Sequence, residues 1–308
     1  MINFMGALGL FVLCLFHLLI QMNEVLFVMP KNDSRFRYGT ANFPGRHLLI
    51  NKSLIKEMVE LAKVSRGDTV IDIGAGTGAL TFPLAGQAGT VIAIENDPAS
   101  VQKLTSKMKE KNNINIKLVD VLQYKLPKSP FCVVANMPFS ITTPIFEKFL
   151  GDPSLRMQRA VFITEKGAAK RFTAVPVINP MILAWRMWYD IRLVRTVLPN
   201  NFSPPPGVAS AVVTVFKKNN PMLPPHHRRQ FTDLASHALH YPYVPFVEAI
   251  GEVFTPPQIA KLAKELKIER NQAICTLHEQ QWGQLFLAML RHVPSYRWPK
   301  ARKRKGRR

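Results

Sequence analysis

A glycine-rich segment follows the first strongly β-branched run of the chain. Residues 72–78 read DIGAGTG, so Gly74, Gly76 and Gly78 stand at alternate positions. Glycine permits a tight turn and lets a ligand approach the backbone, because it has no Cβ. The spacing lacks the extra residue of the dinucleotide pattern G-x-G-x-x-G, and the chain contains no G-x-x-x-x-G-K-[ST] phosphate loop. The segment therefore predicts a nucleoside site without a pyrophosphate cradle.

Two acidic residues stand at the ends of the next two predicted strands. Glu95 closes the run of residues 90–95, and Asp120 is predicted to end the third strand, with Val121 directly after it. A carboxylate in the position of Glu95 can accept from both ribose hydroxyls. Asp120 can accept from an adenine amino group while Val121 offers an apolar face. An acid that binds ribose, without a pyrophosphate site, favours S-adenosylmethionine over NAD as the cofactor. The alternative is that Glu95 and Asp120 are only polar residues at strand ends.

The segment Asn136-Met137-Pro138-Phe139 follows the fourth predicted strand. The Asn136 amide oxygen can accept from an exocyclic N–H, a carbonyl beside the proline can accept a second one, and Phe139 can stack on the base. An adenine N6 held in this way directs its lone pair at a methyl donor, and orientation of that kind contributes ~7–11 kcal/mol. We predict Asn136 and Phe139 as the catalytic residues, and no metal, because the sulfonium charge disappears during transfer. The alternative is a structural turn with Phe139 in the core.

The elements that must position these residues alternate along the chain. Short apolar runs predict strands over residues 69–73, 90–95, a run that ends near 119–120, 131–135, 160–164, 191–199 and 209–217. Helical patterns lie between them, including one that begins after Asn51 or Ser53 and one over about 98–111. This alternation predicts an α/β fold with a doubly wound, Rossmann-like parallel sheet that ends in an antiparallel pair.

A different pattern follows the proline- and asparagine-rich break at residues 219–225. Helical signals replace strand signals there, and Thr255-Pro256 predicts a capped helix start. We therefore divide the chain into a hydrophobic N-terminal extension over 1–30, a Rossmann-like methyltransferase domain over 31–218, a small all-helical RNA-binding domain over 219–295 and a basic disordered tail over 296–308.

The charge of the chain points to a polyanionic partner. Lys and Arg number 41 against 20 Asp and Glu, a formal net charge of +21. Only part of this excess lies in the tail, so we expect RNA contacts around the cleft as well. The candidate cations are Arg35, Arg37, Arg46, Lys166, Lys170, Arg171, Arg228 and Arg229. The 3 cysteines are too far apart for a disulfide framework or a metal knuckle, which favours the cytoplasm.

The first residues differ from the rest. Residues 4–20 are almost wholly apolar, slightly short of the ~20 that span a bilayer. A secretory signal would have Lys or Arg before this run and a small-x-small site after it, and both are missing. A membrane anchor, a weak signal and translated sequence ahead of a later start at Met22 or Met29 stay open. We favour an extension outside the functional fold, without membrane contact.

The order of these motifs resembles the rRNA adenine N6-methyltransferases, which include the housekeeping small-subunit dimethyltransferases and the Erm macrolide-resistance enzymes. The resemblance runs from about Asn42 to Trp298. It also rests on residues 42–51 (NFPGRHLLIN), 165–172 (EKGAAKRF) and 202–213 (FSPPPGVASAVV). Residues 183–190 (LAWRMWYD) and 298–301 (WPKA) favour the Erm branch, and within it the members with a basic carboxyl tail.

The resemblance implies a class I S-adenosylmethionine-dependent methyltransferase sheet and a role for each motif residue. His47 and Leu49 would contact the cofactor from the N-terminal arm, and Gly74 would lie against its methionine moiety. Glu95 would bind the ribose, Asp120 the adenine, and Asn136 would lie where cofactor and target base meet. Three residues depart from the family pattern: Arg46 replaces a usual Gln, Asp72 replaces a common Glu, and Phe139 replaces a usual Tyr, which keeps stacking but loses a hydroxyl.

The expected function is mono- or dimethylation of adenine N6 in 23S rRNA, with S-adenosyl-L-methionine as donor and macrolide-type resistance as outcome. The alternative within the same chemistry is a housekeeping 16S rRNA adenine dimethyltransferase. An alternative of another class is a non-catalytic RNA-binding or transcription factor on a methyltransferase fold. The implied partner is rRNA, with no stable protein partner, and the expected location is the cytoplasm.

Overall fold

The structure of the protein is a computed structural model that describes residues 47–108 and 112–300. The predictions made for the hydrophobic extension, for most of the arm with Arg35, Arg37 and Arg46, and for nearly all of the basic tail lie outside the described residues. Within residues 47–108 and 112–300, no helix is both long and apolar enough to cross a membrane.

A seven-stranded sheet lies at the centre of the molecule. The strands of the described chain are β1 (Leu48–Leu49), β2 (Thr69–Ile73), β3 (Thr90–Glu95), β4 (Ile114–Leu118), β5 (Phe131–Asn136), β6 (Met157–Glu165), β7 (Tyr189–Val197), β8 (Phe202–Ser203) and β9 (Ser210–Lys217). The main sheet has the order β4-β3-β2-β5-β6-β9-β7, and β1 and β8 form a separate antiparallel pair. The predicted α/β sheet is confirmed, although its third strand ends at Leu118, two residues before the predicted end.

The topology of the sheet determines where a ligand can bind. Strands β4, β3, β2, β5 and β6 are parallel, whereas β9 runs antiparallel to both β6 and β7. The chain moves outward from β2 through β3 to β4, then returns to the other side of β2 to form β5. A crevice forms at such a reversal, outside the carboxyl ends of the strands. The reversal here lies between β2 and β5, so the carboxyl ends of β2, β3 and β5 enclose the expected site.

Helices cover both faces of the sheet. They are α1 (Lys52–Leu61), α2 (Thr81–Gln87), α3 (Pro98–Ser106), α4 (Thr142–Leu150), α5 (Lys166–Thr173), α6 (Pro180–Trp188), α7 (Arg228–Ala238), α8 (Phe246–Ala249), α9 (Pro256–Glu265) and α10 (Glu279–His292). Asn51 caps α1, because its side chain accepts from the Leu54 N–H at 3.0 Å. The predicted start at Thr255-Pro256 is confirmed by the capping box of α9, which Thr255 shares with Gln258.

Two apolar cores pack against opposite faces of the sheet. One contains α1, α2 and Leu104 of α3, together with alternate residues of β2, β3 and β5. The other contains α4 to α6 and continues without a break into the helices that follow β9. Trp188 lies at this junction, where its indole N–H donates to the Leu223 carbonyl at 2.7 Å and its ring meets Phe231 edge-on. The division of the chain near residue 219 stays a prediction.

Candidate active site

A cavity of about 100 Å³ opens at the carboxyl ends of β2, β3 and β5. It is lined by His47, Leu48, Gly74, Gly76, Glu95, Asn96, Ser100, Asn136, Met137, Pro138 and Phe139. The structure therefore brings together six of the ten residues predicted from the sequence: His47, Gly74, Gly76, Glu95, Asn136 and Phe139. The sequence motifs meet in space because parallel strands place their carboxyl ends at one edge of the sheet.

The glycine-rich turn needs glycine for its backbone conformation. Gly74, Gly76 and Gly78 have φ angles of +66°, +55° and +94°, a region that side chains with a Cβ rarely adopt. A Cβ on Gly76 would lie 3.4 Å from the Leu48 Cδ2 across the cavity. Gly74 is fixed by its N–H, which donates to the Ile94 carbonyl at 2.9 Å. Gly74 and Gly76 thus keep the floor of the cavity open to a ligand.

Gly78 has a different environment from the other two glycines. A Cβ there would lie 2.4 Å from the Phe82 Cε2 and 2.7 Å from the Leu104 Cδ1. Gly78 lies outside the cavity lining and lets α2 and α3 approach the turn. Gly78 therefore has a packing role, and its predicted contact with the cofactor stays a prediction.

Glu95 holds the glycine turn and the start of α3 together. Its Oε2 accepts from the Gly76 N–H at 2.9 Å, and its Oε1 accepts from the N–H groups of Asn96 and Asp97 at 2.9 and 3.0 Å. The side chain is buried, yet it lines the cavity. Charge-assisted bonds of this kind are stronger than neutral ones. They fix the carboxylate at the edge of the cavity, which is the place the sequence predicts for a ribose acid.

Asp72 is a residue of β2 next to this edge, and its side chain is fully buried. The Thr81 hydroxyl donates to its Oδ2 at 2.6 Å. Burial raises the pKa of the Asp72 carboxyl to about 7, and the nearby negative charge of Glu95 acts in the same direction. Near neutral pH, Asp72 is therefore partly protonated, which reduces its repulsion with the Glu95 carboxylate.

The side chain of Asn136 is oriented from the N-terminal segment. Its Nδ2 donates to the His47 carbonyl oxygen at 2.8 Å, and the His47 Nδ1 lies 2.8 Å from the Pro204 carbonyl oxygen. The His47 ring is tilted 35° from that of Phe139, with 5.9 Å between centroids. With its amide nitrogen bonded to His47, Asn136 has its carboxamide oxygen as the acceptor for an incoming amino group. Phe139 is half-buried at the cavity, not enclosed in the core.

Three predicted binding residues lie elsewhere. Val121 and Leu49 are both buried in the apolar cores. The neighbour of Leu49, Leu48, lines the cavity instead. Successive strand residues point to opposite faces, so only one of two neighbouring leucines can line the cavity. Asp120 lies in the turn after β4, and its Oδ1 accepts from the Leu122 N–H at 2.8 Å. The turn stays beside Glu95, because the Val119 N–H donates to the Glu95 carbonyl at 2.9 Å.

Five residues of the lining were not predicted. They are Leu48, Asn96, Ser100, Met137 and Pro138. Four of them are sequence neighbours of predicted residues, which is the signal that identifies them. Ser100 lies in the first turn of α3, where its hydroxyl donates to the Asp97 Oδ2 at 2.7 Å. Its position follows from α3, which begins at Pro98, three residues after Glu95.

Two of the basic residues predicted around the cleft, Arg171 and Arg228, lie at opposite ends of α4. Arg171 donates to the Thr143 hydroxyl at 3.3 Å, next to the turn that contains Phe139. Arg228 instead donates to the Gly151 carbonyl, at the opposite end of α4. A helix of nine residues is about 13 Å long. Arg228 is therefore corrected from a cleft cation to a cation that joins α7 to the end of α4.

The residues present can hold an S-adenosylmethionine nucleoside. Gly74 and Gly76 have no Cβ to fill the cavity, at positions whose positive φ angles favour glycine, and Glu95 supplies acceptor oxygens for ribose hydroxyls. For residues 47–108 and 112–300, no cluster of three or more His, Cys, Asp or Glu side chains could bind a metal ion.

Comparison with known proteins agrees with this geometry. The ribosomal RNA adenine dimethylase family matches residues 37–290. An rRNA adenine N-6-methyltransferase of Bacillus licheniformis is 44% identical over 269 residues, which cover 87% of this chain and 94% of that protein. A probable ribosomal RNA small subunit methyltransferase A of Methanopyrus kandleri is 36% identical over 172 residues, which cover 55% of this chain and 61% of that protein.

The fold is also found among solved structures. The crystal structure of the 23S rRNA methyltransferase ErmE superposes with a TM-score of 0.70 at 20% identity, over 79% of this chain and 99% of ErmE. This likeness concerns the fold, which is that of a class I methyltransferase with a helical C-terminal part. The family match and the Bacillus licheniformis relative establish that the chain belongs to the ribosomal RNA adenine dimethylase family and is an rRNA adenine N6-methyltransferase.

Proposed function

We propose that this enzyme transfers one or two methyl groups from S-adenosyl-L-methionine to an adenine N6 of 23S rRNA and thereby confers macrolide-type resistance. The observation that carries the proposal is the extent of similarity. The Bacillus licheniformis relative aligns over 87% of the chain, helical part included, whereas the small-subunit relative aligns over 55%. The Erm-like residues 183–190 lie where the two parts meet, which adds support.

The junction residues join the sheet to the helices that follow β9. Arg186 is buried and donates to the Phe172 carbonyl at 2.8 Å, while its own carbonyl accepts from the Lys218 ammonium at 2.5 Å. Trp188 binds the Leu223 carbonyl. These contacts hold the segment after β9 against α6, and in our proposal they orient the helical part toward the RNA.

In the proposed mechanism, the protein supplies position and not acid–base chemistry. When bound, the donor provides an electrophilic methyl group on a positively charged sulfur. Gly74, Gly76 and Glu95 would hold its nucleoside. A target adenine must leave its stack at a cost of a few kcal/mol, which is smaller in an RNA loop than in a duplex. Phe139 would then stack on the everted base.

Two acceptors would orient the N6 amino group. The Asn136 carboxamide oxygen would accept one hydrogen. The Pro138 carbonyl already accepts from the Ile141 N–H at 3.2 Å, and its second lone pair would accept the other hydrogen. With both hydrogens engaged, the nitrogen lone pair would be left to attack the methyl group; the C–S bond of the donor would break as the C–N bond forms, and the proton lost from N6 would pass to water. The substrate and the donor are cytoplasmic molecules, so we place the activity in the cytoplasm.

Expression in a macrolide-susceptible bacterium tests the proposal. We expect a new N6-methylated adenine in 23S rRNA, mapped by primer extension and mass spectrometry, together with raised erythromycin tolerance. The matched control is Asn136→Ala expressed at the same level, which should give neither. New methylation confined to 16S rRNA would reject the proposal in favour of the small-subunit alternative. Binding of rRNA without any methylation would favour the non-catalytic alternative.

A further inference from the structure

Two exposed tyrosines mark a surface outside the active site. Tyr241 and Tyr243 are 67% and 70% exposed, on either side of Pro242 in the loop between α7 and α8. Buried aromatic side chains dominate cores and interfaces because they remove a large apolar area from water. Tyr241 and Tyr243 flank the same proline and leave both rings in solvent. We call these two residues the tyrosine pair.

The backbone that carries the tyrosine pair is firmly held. The Pro242 carbonyl accepts from the Cys275 N–H at 3.0 Å, and the Val244 carbonyl accepts from the Ile274 N–H at 3.0 Å. Tyr241 also packs edge-on against His240, with 4.5 Å between ring centroids. A fixed backbone lowers the entropic cost of ordering the binding surface when a ligand binds. The rings are therefore presented to solvent on a preorganised support.

A groove adjoins the segment that holds the tyrosine pair. Its volume is about 350 Å³, with residues 175–177 on one wall and residues 275–280 on the other. The first wall follows α5, whose Arg171 donates to Thr143 beside the Phe139 turn. The second wall is the segment to which the tyrosine-pair loop is bonded. The groove therefore borders both the segment after α5 and the segment that holds the tyrosine pair.

The charges near this groove suit a nucleic acid. Lys170 and Arg171 are exposed in α5, shortly before the first wall, and Arg270 is exposed shortly before the second wall. The acidic residue of the groove, Glu279, is paired with the Lys218 ammonium at 2.6 Å. Cations that neutralise phosphates with aromatic rings between them are the usual combination for unpaired RNA.

We propose that Tyr241 and Tyr243 are a stacking platform for unpaired bases of the rRNA substrate, outside the target adenine. The inference rests on the proposed function, because it assumes that the target lies in a partly single-stranded segment. Stacking on a tyrosine ring tolerates any base, since every base has a π-face. The platform adds affinity for unpaired RNA and leaves sequence choice to the cavity.

Binding measurements with two matched probes test the platform. The probes are a hairpin RNA with an adenine-rich loop and an uninterrupted duplex of the same stem, titrated against the full chain by fluorescence anisotropy. We expect the double variant Tyr241→Ala, Tyr243→Ala to bind the hairpin about 5- to 20-fold more weakly and the duplex unchanged. The slope of log affinity against log salt should stay the same, because no charge is removed.

Control variants separate stacking from structure. The pair Tyr241→Phe, Tyr243→Phe keeps both rings and should bind the hairpin like the wild type. Val194→Ala removes an exposed apolar side chain from β7, outside this surface, and should also have no effect. Equal hairpin affinity in the alanine pair, or an equal loss on hairpin and duplex, would overturn the proposal. So would a loss in the phenylalanine pair.

Kinetics distinguish this proposal from the proposed function. With unmethylated 23S rRNA as substrate, the alanine pair should raise KM while kcat stays unchanged. If the wild type methylates 23S rRNA and the alanine pair has the same KM, the platform is wrong and the function stands. If the wild type does not methylate 23S rRNA, the proposed function is wrong, and the hairpin binding still decides the platform.

Unchanged RNA affinity with lost binding to a ribosomal protein would assign the surface to a protein partner and overturn the proposal.

Discussion

The Asn136 amide nitrogen donates a 2.8 Å hydrogen bond to the backbone carbonyl of His47, which lies 89 positions earlier in the chain. His47 in turn lies 2.8 Å from the Pro204 carbonyl oxygen through its Nδ1. Three distant segments therefore meet at the residue that we assign to the target base. The contact also selects which end of the carboxamide faces the cavity, so that an acceptor and not a donor is presented to an adenine amino group.

Asn136→Ala should abolish methyl transfer and leave donor binding nearly intact. The side chain orients the nucleophile, and loss of positioning alone can cost about 100-fold in rate. Single-turnover methylation and calorimetric titration of S-adenosylmethionine measure the two effects separately. Phe139→Tyr, which restores the residue usual in the family, should keep transfer. Undiminished turnover in Asn136→Ala would remove this residue from the mechanism.

Glu95→Gln should weaken S-adenosylmethionine binding. Loss of a charge-assisted hydrogen bond costs ~1.5–3 kcal/mol, which is roughly 10- to 150-fold in Kd. Glu57→Gln is a matched control, because Glu57 binds Arg195 on the surface of α1 and lies outside the cavity lining. Thermal unfolding should accompany the titration, since Glu95 also binds the Gly76 N–H. Equal donor affinity in the folded variant would contradict the assignment.

Gly78→Ala should destabilise the fold, whereas Gly86→Ala should stabilise it. The new Cβ at position 78 would lie 2.4 Å from the Phe82 ring, on a backbone with φ of +94°. Overpacking of this kind costs typically ~1–3 kcal/mol. Gly86 lies in α2 and has open space around it, so alanine there should gain roughly 0.5–1 kcal/mol. Urea unfolding of both variants checks the opposite signs; equal effects would contradict the packing role of Gly78.

Asp72→Asn should change how stability depends on pH. The pKa of Asp72 is raised from 3.8 to about 7 in the folded chain, so between these values the native state holds a proton that the unfolded state has lost. The free energy of unfolding of the wild type therefore falls as pH rises from about 4 to 7. The variant lacks this contribution, so its advantage should grow over that interval and level off above it. Urea unfolding across the interval measures the difference; a constant difference would reject burial as the cause.

Deletion of residues 300–308 should weaken rRNA binding and flatten its salt dependence. The deleted segment carries seven Lys and Arg residues and no acid. Each phosphate contact that is lost reduces the slope of log affinity against log salt by about 0.7–0.9. Replacement of the same nine residues by a neutral Gly/Ser segment is the control for length. An unchanged slope would show that the tail makes no contact with RNA.

Much of the site could be predicted from the sequence. The β-branched runs identify β2, β3 and β5, and parallel strands place the residues at their carboxyl ends together, so Glu95 and Asn136 are found with the glycine turn. The main residues of the site thus stand in short sequence motifs at the ends of predicted strands.

The remaining features depend on distant packing. Leu48, and not Leu49, reaches the cavity because β1 pairs with β8, whose residues lie more than 150 positions later. Gly78 is required by the rings and methyl groups of α2 and α3, which no local pattern shows. The position of Arg228 follows from the packing of α7 against the end of α4. Register and helix packing are set by tertiary contacts, so spacing alone does not reveal them.

The short pairing of β1 with β8 has a consequence for biosynthesis. Leu48 opposes Ser203 and Leu49 opposes Phe202, so one wall of the pocket is anchored to a segment that is translated much later. A nascent chain that has emerged only as far as β6 contains the glycine turn, Glu95, Asn136 and its contact with His47, yet it lacks the strand that pairs with Leu48 and Leu49. We therefore expect this wall of the pocket to be completed only after residue 203 has left the ribosome, the particle whose RNA its family methylates.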